Sequence, residues 1–473
     1  MNLLLINPSQ EKVYGKKMMP AYPPLGLLHI GTVLKNEGHG VRLLDIDTEK
    51  IDEKKFENIF RNFNPDAVGI TGVTPTFKNA LKWARLSKKI RNVPVIMGGV
   101  HATIAPDETI GCDSVDIIVV GEGELTAKEL FNRLQSPGSD LGDIKGIYFK
   151  RDKAVVANEK RPLIEDLDSI PFPDRAMFKK AHAFMPPDAV HLPVATIMTS
   201  RGCPGDCTFC CTKQIFSKKF RTRSTKNMVE EVERLVNKEG IKEIHIADDT
   251  FTIIKKRALE FCGEIKKKNL NVGFQFMNGL RADFVDRDIL LALRSIGMKT
   301  VGFGVESGNK NILKNIKKNI PAHITRKAFR LSRELGFETW AFLVFGLPGE
   351  TDRTIRETIE FTKELDPDFA KFLILEPYPG SEVHAELKKA NLILSTDYDD
   401  YGLYTKPVHR LPGLEPEKMV YWQKRAFREF YLRPRKILFH LGRIIKIRSW
   451  VQLRLLVNDI LFAVYCMFKR DEK

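Results

Sequence analysis

The residues best placed to do chemistry lie close together in Arg201-Gly202-Cys203-Pro204-Gly205-Asp206-Cys207-Thr208-Phe209-Cys210-Cys211, where four of the chain's seven cysteines fall within nine positions. Thiolates at Cys203, Cys207 and Cys210 on a tight Pro/Gly loop can converge on one face of an iron–sulfur cube. Three ligands for four irons leave one iron open to another ligand. Cys211 adjoins Cys210, and neighbouring loop residues seldom both reach one metal.

Other uses of the thiols fit the spacing less well. A structural zinc site wants four ligands, usually as two short-spaced pairs, and no second Cys/His pair lies nearby. No signal-peptide pattern is seen, so a cytoplasmic, reducing setting with free thiols is expected. The spacing therefore favours a cluster over zinc or a disulfide.

A loop of this kind needs a scaffold, and the second half of the chain alternates short apolar runs with amphipathic ones. Strands are expected at 194–199, 241–247, 272–277, 300–305, 339–345 and 369–375. Helices are expected at 225–238, 255–268, 286–295, 322–335 and 351–365. Six β/α units predict a partial barrel with functional groups at the C-terminal strand ends. Those ends read Asp248-Asp249-Thr250, Gly279 to Arg281, Glu306-Ser307-Gly308-Asn309 and Gly346-Leu347-Pro348-Gly349-Glu350. Taken singly, an acidic residue after a strand is as well read as a helix N-cap.

The C-x-x-x-C-x-x-C spacing, with Phe209 before the last cysteine, resembles the signature of the radical S-adenosylmethionine (SAM) enzymes. The resemblance covers most of residues 194–376. It implies that Cys203, Cys207 and Cys210 hold a [4Fe–4S] cluster whose open iron chelates the methionyl amine and carboxylate of SAM. It further implies amine contacts from Asp248 and Asp249, ribose contacts from Glu306 and Ser307, and an adenine-side loop around Gly346 and Pro348. Phe209 belongs to the same SAM-binding set, and Arg281 is expected to face the SAM carboxylate. The implied chemistry is one-electron cleavage of SAM to a 5′-deoxyadenosyl radical that abstracts a substrate hydrogen.

The first half also alternates, with apolar runs at 2–7, 41–46, 67–71, 94–97 and 116–120 and helical segments between them. This predicts a Rossmann-like, doubly wound parallel sheet. The loop after the first strand reads Asn7-Pro8-Ser9-Gln10 rather than G-x-G-x-x-G, which argues against NAD. With Tyr22-Pro23-Pro24-Leu25-Gly26, the strand ends resemble the cobalamin-binding domain of cobalamin-dependent radical SAM enzymes, the group of the anaerobic magnesium-protoporphyrin ester cyclase and the C-methyltransferases. The resemblance implies cobalamin contacts from Thr71, Thr74, Gly98, Gly99, His101, Gly121, Glu122 and Gly123. The chain lacks the D-x-H-x-x-G motif, so no histidine of that type ligates cobalt. His101 is the one loop histidine considered for the lower face of the corrinoid.

At 473 residues the chain should hold about three domains. The expected division is a cobalamin-binding-type domain over 1–145, a hairpin and Pro-rich linker over 146–193, the radical SAM partial barrel over 194–376, and a basic, mostly helical region over 377–473. Residues 425–473 carry twelve Lys/Arg against four Asp/Glu, half of the net charge of +16. Interleaved with apolar residues, they suit peripheral contact with an anionic membrane surface as well as an ordinary basic face. No apolar run reaches the ~18 residues of a spanning helix, and no nucleic-acid motif is present, so no nucleic-acid partner is expected.

These readings converge on an enzyme. The leading one is methylation of an unactivated carbon of a small-molecule substrate, such as a lipid or other hydrophobic compound, with a ferredoxin- or flavodoxin-type protein as reductant. Oxidative cyclisation by the same machinery is the alternative. A non-catalytic iron–sulfur sensor or partner-binding protein is a third, although it would have no need for the ordered acidic and glycine-rich strand ends.

Overall fold

Asn2–Asn7 forms β1, and its side chains supply three different cores. Leu4 and Ile6 enter a cluster with Phe56, Phe60 and Trp83, Leu3 joins Leu34, Leu130 and Phe131, and Leu5 joins Leu27 and Phe178. A strand apolar on both faces belongs in the middle of a covered parallel sheet, and β1 lies between β2 (Gly40–Asp45) and β3 (Ala67–Thr71). A computed structural model describes residues 1–445 apart from 15–21, 137, 153, 179–183, 187–188 and 403–405, plus positions 453, 457, 461, 464 and 467. Most of the tail beyond 445, including Trp450, lies outside the described residues.

The sheet continues through β4 (Val95–Gly98) and β5 (Ile117–Val119), both parallel. Then β6 (Ile147–Arg151) and β7 (Ala154–Ala157) add an antiparallel edge. The order is β2-β1-β3-β4-β5-β6-β7. The hairpin expected near 146–157 is thus the edge of the first sheet and does not open the linker.

The partial barrel follows. Its strands are β8 (Val194–Ile197), β11 (Glu243–Ile246), β12 (Gly273–Phe276), β13 (Thr300–Glu306), β14 (Glu338–Phe345) and β15 (Phe369–Ile374). They form two three-stranded parallel sheets joined by a bridge from Leu280 to Phe303. Along β14, Thr339, Ala341, Leu343 and Phe345 are buried, while Trp340, Phe342 and Val344 are half-buried. This period of two is a strand with one packed face and one more open face. Between β8 and β11 a short antiparallel pair, β9 (Ser200–Arg201) and β10 (Arg221–Thr222), frames the cysteine loop.

The C-terminal region ties both units together. Phe427 and Phe430 of the helix Pro416–Tyr431 pack on Phe372 of β15, and Gln423 donates to the Phe372 carbonyl at 2.8 Å. Upstream, Tyr398 and Tyr401 join the core of the first domain, and the Tyr398 hydroxyl donates to Glu108 at 2.6 Å.

The strongest link between the two units is electrostatic. Glu122 and Glu124 open the helix after β5, and both carboxylates are buried. Arg201 reaches Glu122 at 3.0 Å and also pairs with Glu124, while Arg221 reaches Glu122 at 2.9 Å. Behind them, Arg175 and Arg223 flank buried Glu231. Burial alone would push the Glu124 carboxyl up, but the Arg201 guanidinium outweighs it and holds the acid below its usual range. Nearby His29 is pushed down to about 4, mainly by burial, and stays neutral.

Removing one partner of a buried pair strands the other charge, at a cost of about 3–5 kcal/mol. Arg201→Ala should therefore lower unfolding stability by about that amount in chemical denaturation. Arg201→Lys, which keeps the charge without the fork, should recover part of it. Loss of less than about 1 kcal/mol on Arg201→Ala, the scale of an exposed pair, would show that the network does not hold the units together.

Candidate active site

Asp248 lies two residues past β11 and organises the approach to the cysteine loop. Its carboxylate accepts from the Thr199 N–H at 2.6 Å, the Ser200 N–H at 3.1 Å and the Ser200 hydroxyl at 2.5 Å, and also from the Thr199 hydroxyl. Arg257 stands 3.8 Å away and donates to the Thr199 carbonyl at 2.8 Å. Next, Gly202 turns with φ +90°, and an added Cβ would lie 2.3 Å from the Lys219 carbonyl oxygen. Only glycine fits there, and the turn delivers Cys203 to the barrel mouth.

Cys203, Cys207 and Cys210 are half-buried free thiols close enough to influence one another. Burial pushes the Cys207 and Cys210 thiols up. Lys318 and Arg281 oppose this at Cys207, while the Thr212 hydroxyl and N–H do so at Cys210. Among the described residues no three His, Cys, Asp or Glu side chains close on a single metal ion. A cube asks for something else, since each thiolate binds a different iron and a positive rim favours thiolates. Cys211 stands apart, donating to the Pro379 carbonyl at 3.5 Å, with burial pushing its thiol up to about 12.

The other strand ends divide into groups that face the mouth and groups already committed. Among the described residues the Asp249 carboxylate has one hydrogen-bond partner, the Thr212 hydroxyl at 3.1 Å, and burial raises its carboxyl to about 6. Arg281 forks onto Asp283 at 2.7 and 3.1 Å while its charge bears on Cys207 and Cys203. Glu306 has φ +61° at a bulge in β13 and pairs with buried Lys318 at 2.9 Å. Ser307 is buried, 3.0 Å from the Thr358 hydroxyl, and accepts from the Asn309 N–H at 3.1 Å. Gly346 has φ +80°, and an added Cβ would meet His409 Nε2 at 2.9 Å. The Pro348 carbonyl accepts from Asn315 at 3.2 Å, and Phe209 packs half-buried against the barrel core.

At the first domain's strand ends, the Gly121 turn at φ +82° is open, with no atom within 4 Å of an added Cβ. An added Cβ at Gly98 would make ordinary contact with Val119, whereas one at Gly99 would lie 2.6 Å from the Thr71 hydroxyl and one at Gly123 would lie 2.7 Å from Ile30. Two expectations change here. Glu122 is spent on Arg201 and Arg221, so its carboxylate serves the interdomain network. His101 is not a loop residue. It lies in the helix Val100–Ile104, fully buried, with its ring 4.0 Å from that of Phe77 and 4.9 Å from that of Tyr398. Burial pushes it down to about 4. Its Nδ1 lies 3.2 Å from the Thr74 hydroxyl, and its Nε2 has no partner among the described residues.

Comparison with known proteins settles the ancestry. The profile described as Radical SAM superfamily matches residues 197–362, and that of the B12 binding domain matches 11–131. An uncharacterised methyltransferase of Pyrococcus horikoshii is 35% identical over an alignment of 455 residues that covers 94% of this chain and 96% of the relative. The chain belongs to the radical SAM superfamily. It is a member of the branch that carries a B12-binding domain ahead of the barrel. The anaerobic magnesium-protoporphyrin IX monomethyl ester cyclase of Cereibacter sphaeroides is 27% identical, covering 93% of this chain and 71% of the cyclase. In fold, the chain matches the TsrM methyltransferase of Kitasatospora setae, solved with cobalamin and a [4Fe–4S] cluster. The TM-score is 0.74 at 18% identity, over 98% of this chain and 99% of that one.

This radical SAM enzyme's cofactors are accordingly the [4Fe–4S] cluster, SAM and cobalamin. Three neighbouring thiols rimmed by Lys318 and Arg281 fit the cluster. The open turn at Gly121 and the orphaned His101 Nε2 lie at the strand-end edge where a doubly wound domain takes its ligand. Sequence reading missed Lys318, which sits in a polar turn with no motif around it.

Two adjacent aspartates should separate by experiment. Asp248→Asn loses ionic acceptors on a buried anchor, and should lower iron incorporation together with thermal stability. Cys211→Ser should keep the visible absorbance of the reconstituted cluster, which Cys207→Ser should abolish. An iron-loaded, stable Asp248→Asn protein would contradict the anchoring role.

Proposed function

We propose that the chain is a cobalamin-dependent C-methyltransferase acting on an unactivated sp³ carbon of a small molecule. One observation carries this reading: the residue two places before the first cluster ligand, Arg201, is ion-paired to the B12-binding-type domain. The cluster mouth and that domain therefore face one another across a shared seam. The name of the archaeal relative, a methyltransferase, points the same way.

When bound, the cofactors supply the electron, the hydrogen-abstracting radical and the methyl group. The chain supplies position. Cys203, Cys207 and Cys210 hold the cluster. Asp249, with a single partner, is free to accept from the SAM ammonium. Arg281 meets its carboxylate, and Glu306 accepts from ribose hydroxyls. The adenine is assigned to the loop from Gly346 to Pro348, in which Gly346 itself packs against His409. In this scheme Asp248 and Ser307 act at one remove, by fixing the loops that carry these groups. A low-potential ferredoxin or flavodoxin delivers the electron.

Anaerobic reconstitution with iron, sulfide and hydroxocobalamin, followed by SAM and a strong reductant, should yield 5′-deoxyadenosine, and the Cys203→Ala protein should yield none. Stoichiometric cobalamin with S-adenosylhomocysteine supports methyl transfer. Cobalamin-free protein forming only 5′-deoxyadenosine favours cyclisation, the activity named for the Cereibacter relative. Asp249→Asn should weaken SAM binding about tenfold, the loss of one charge-assisted hydrogen bond.

For the basic tail we propose contact with an anionic membrane surface, which would bring a hydrophobic substrate within reach. No helix among the described residues is long and apolar enough to cross a membrane. Residues 427–436 are largely engaged with the barrel, Lys436 pairing with Asp366 at 3.0 Å. Leu432, Leu438 and Leu441 are more than half exposed. Flotation with phosphatidylglycerol vesicles at low salt should recover the wild type and lose Leu438→Asp/Leu441→Asp. Equal recovery of both, or of neither, would remove the idea.

A further inference from the structure

One half-buried acid at the barrel mouth has no part in the scheme above. Glu376 lies two residues past β15, at the strand end where barrel enzymes hold their ligands. Its Oε2 is shut off from solvent and has no hydrogen-bond partner among the described residues. Burial pushes the carboxyl up to about 9 with no cation or N–H opposing it, so at pH 7 it keeps its proton. The chain then turns along the cluster loop, where Cys211 donates to the Pro379 carbonyl at 3.5 Å and Gln214 to the Gly380 carbonyl at 2.5 Å. On its other side Tyr378 packs against the core of the first domain, its ring 6.1 Å from that of Tyr401. Glu376 thus stands in the seam between the cluster loop and the B12-binding domain.

Glu350 shows how a structural acid in this barrel behaves. Burial raises it too, to about 8, yet although its Oε1 has no partner among the described residues, its Oε2 takes the N–H groups of Gly346 and Leu347 at 2.6 and 3.2 Å. Among the described residues the Glu376 side chain caps no turn and pairs with no base. A buried neutral acid left without a partner costs stability, and a guest that accepts its proton in a hydrogen bond recovers that cost. The titratable groups facing it, Tyr378 and Tyr401, with Cys211 beside Tyr378, are themselves pushed up by burial and neutral at pH 7.

We propose that Glu376 is a substrate-binding residue that donates its carboxylic O–H to a neutral acceptor, an amide, ester or ketone carbonyl, on the molecule that receives the methyl group. The proposal rests on the reading of the seam as the substrate chamber. An alkylammonium guest would suit a carboxylate beside two tyrosine rings. It would, however, have to ionise an acid whose Oε2 accepts no hydrogen bond from any described residue, and bring a cation to a chain of net charge +16.

The test is infrared difference spectroscopy of the reconstituted holoenzyme at pH 7, with N-methylacetamide and n-butylammonium as probes. The carbonyl stretch of a protonated carboxylic acid, present in the wild type and missing from Glu376→Gln, should move to lower frequency as N-methylacetamide saturates the site. The proposal is overturned if no such band disappears on Glu376→Gln, if N-methylacetamide leaves the band unmoved, or if n-butylammonium abolishes it by ionisation. Assay of 5′-deoxyadenosine on the same wild-type preparation keeps two failures apart. An unmoved band with nucleoside formed refutes only the role of Glu376. A moved band in protein that forms none refutes the enzymatic reading and leaves the carbonyl site standing.

Discussion

Two buried carboxylates at the end of one sheet, and two guanidiniums flanking a loop of the next unit, cannot part without leaving charge stranded in a place water does not reach. That constraint, Glu122 and Glu124 against Arg201 and Arg221, fixes where everything else sits. A hydrophobic interface would also join two domains, but it tolerates sliding. A forked, buried ion pair does not, because its geometry must be kept to offset the desolvation of each ion. Since Arg201 is bonded along the chain to the loop that presents Cys203, the position of the first domain and that of the thiols are set together.

The same loop is held from below by Asp248, whose carboxylate gathers N–H and hydroxyl donors from Thr199 and Ser200. Two anchors, one between units and one within the barrel, leave the segment from Cys203 to Cys210 free of regular secondary structure while its two ends are fixed. A cluster loop needs this combination, with rigid ends to set the ligand positions and irregular backbone between to turn three side chains inward.

Much of this was legible in the sequence, for reasons that differ by feature. Thiol spacing is local and survives any error about the fold. The parallel, doubly wound class followed from apolar runs such as Leu3 to Ile6, because a run buried on both faces belongs inside a covered sheet. What pattern could not do was tell Asp248 from Asp249. They are the same residue type in succession after the same strand, and they separate only when three-dimensional structure gives one of them its donors and leaves the other with one. Glu122 misled for a related reason, since a Gly-Glu-Gly-Glu turn after a strand has the composition of a ligand loop, whereas its partners Arg201 and Arg221 lie 79 and 99 residues away. The short strands β9 and β10 carried no periodic signal at all.

The acids of this molecule therefore fall into two electrostatic populations. Glu122, Glu124 and Glu231 are buried against arginine, and their charge is used to hold units in place. Glu350, buried, and Glu376, half-buried, meet no base among the described residues, and burial raises both carboxyls. The arginine-held acids lie in the joint between the units, whereas the mouth holds both kinds, Glu376 with its raised carboxyl and Glu306 paired with Lys318. Lys318 and Arg281 place positive charge beside Cys207, where it opposes the effect of burial on the thiol, while the Glu122 and Glu124 network places charge at the joint between the units.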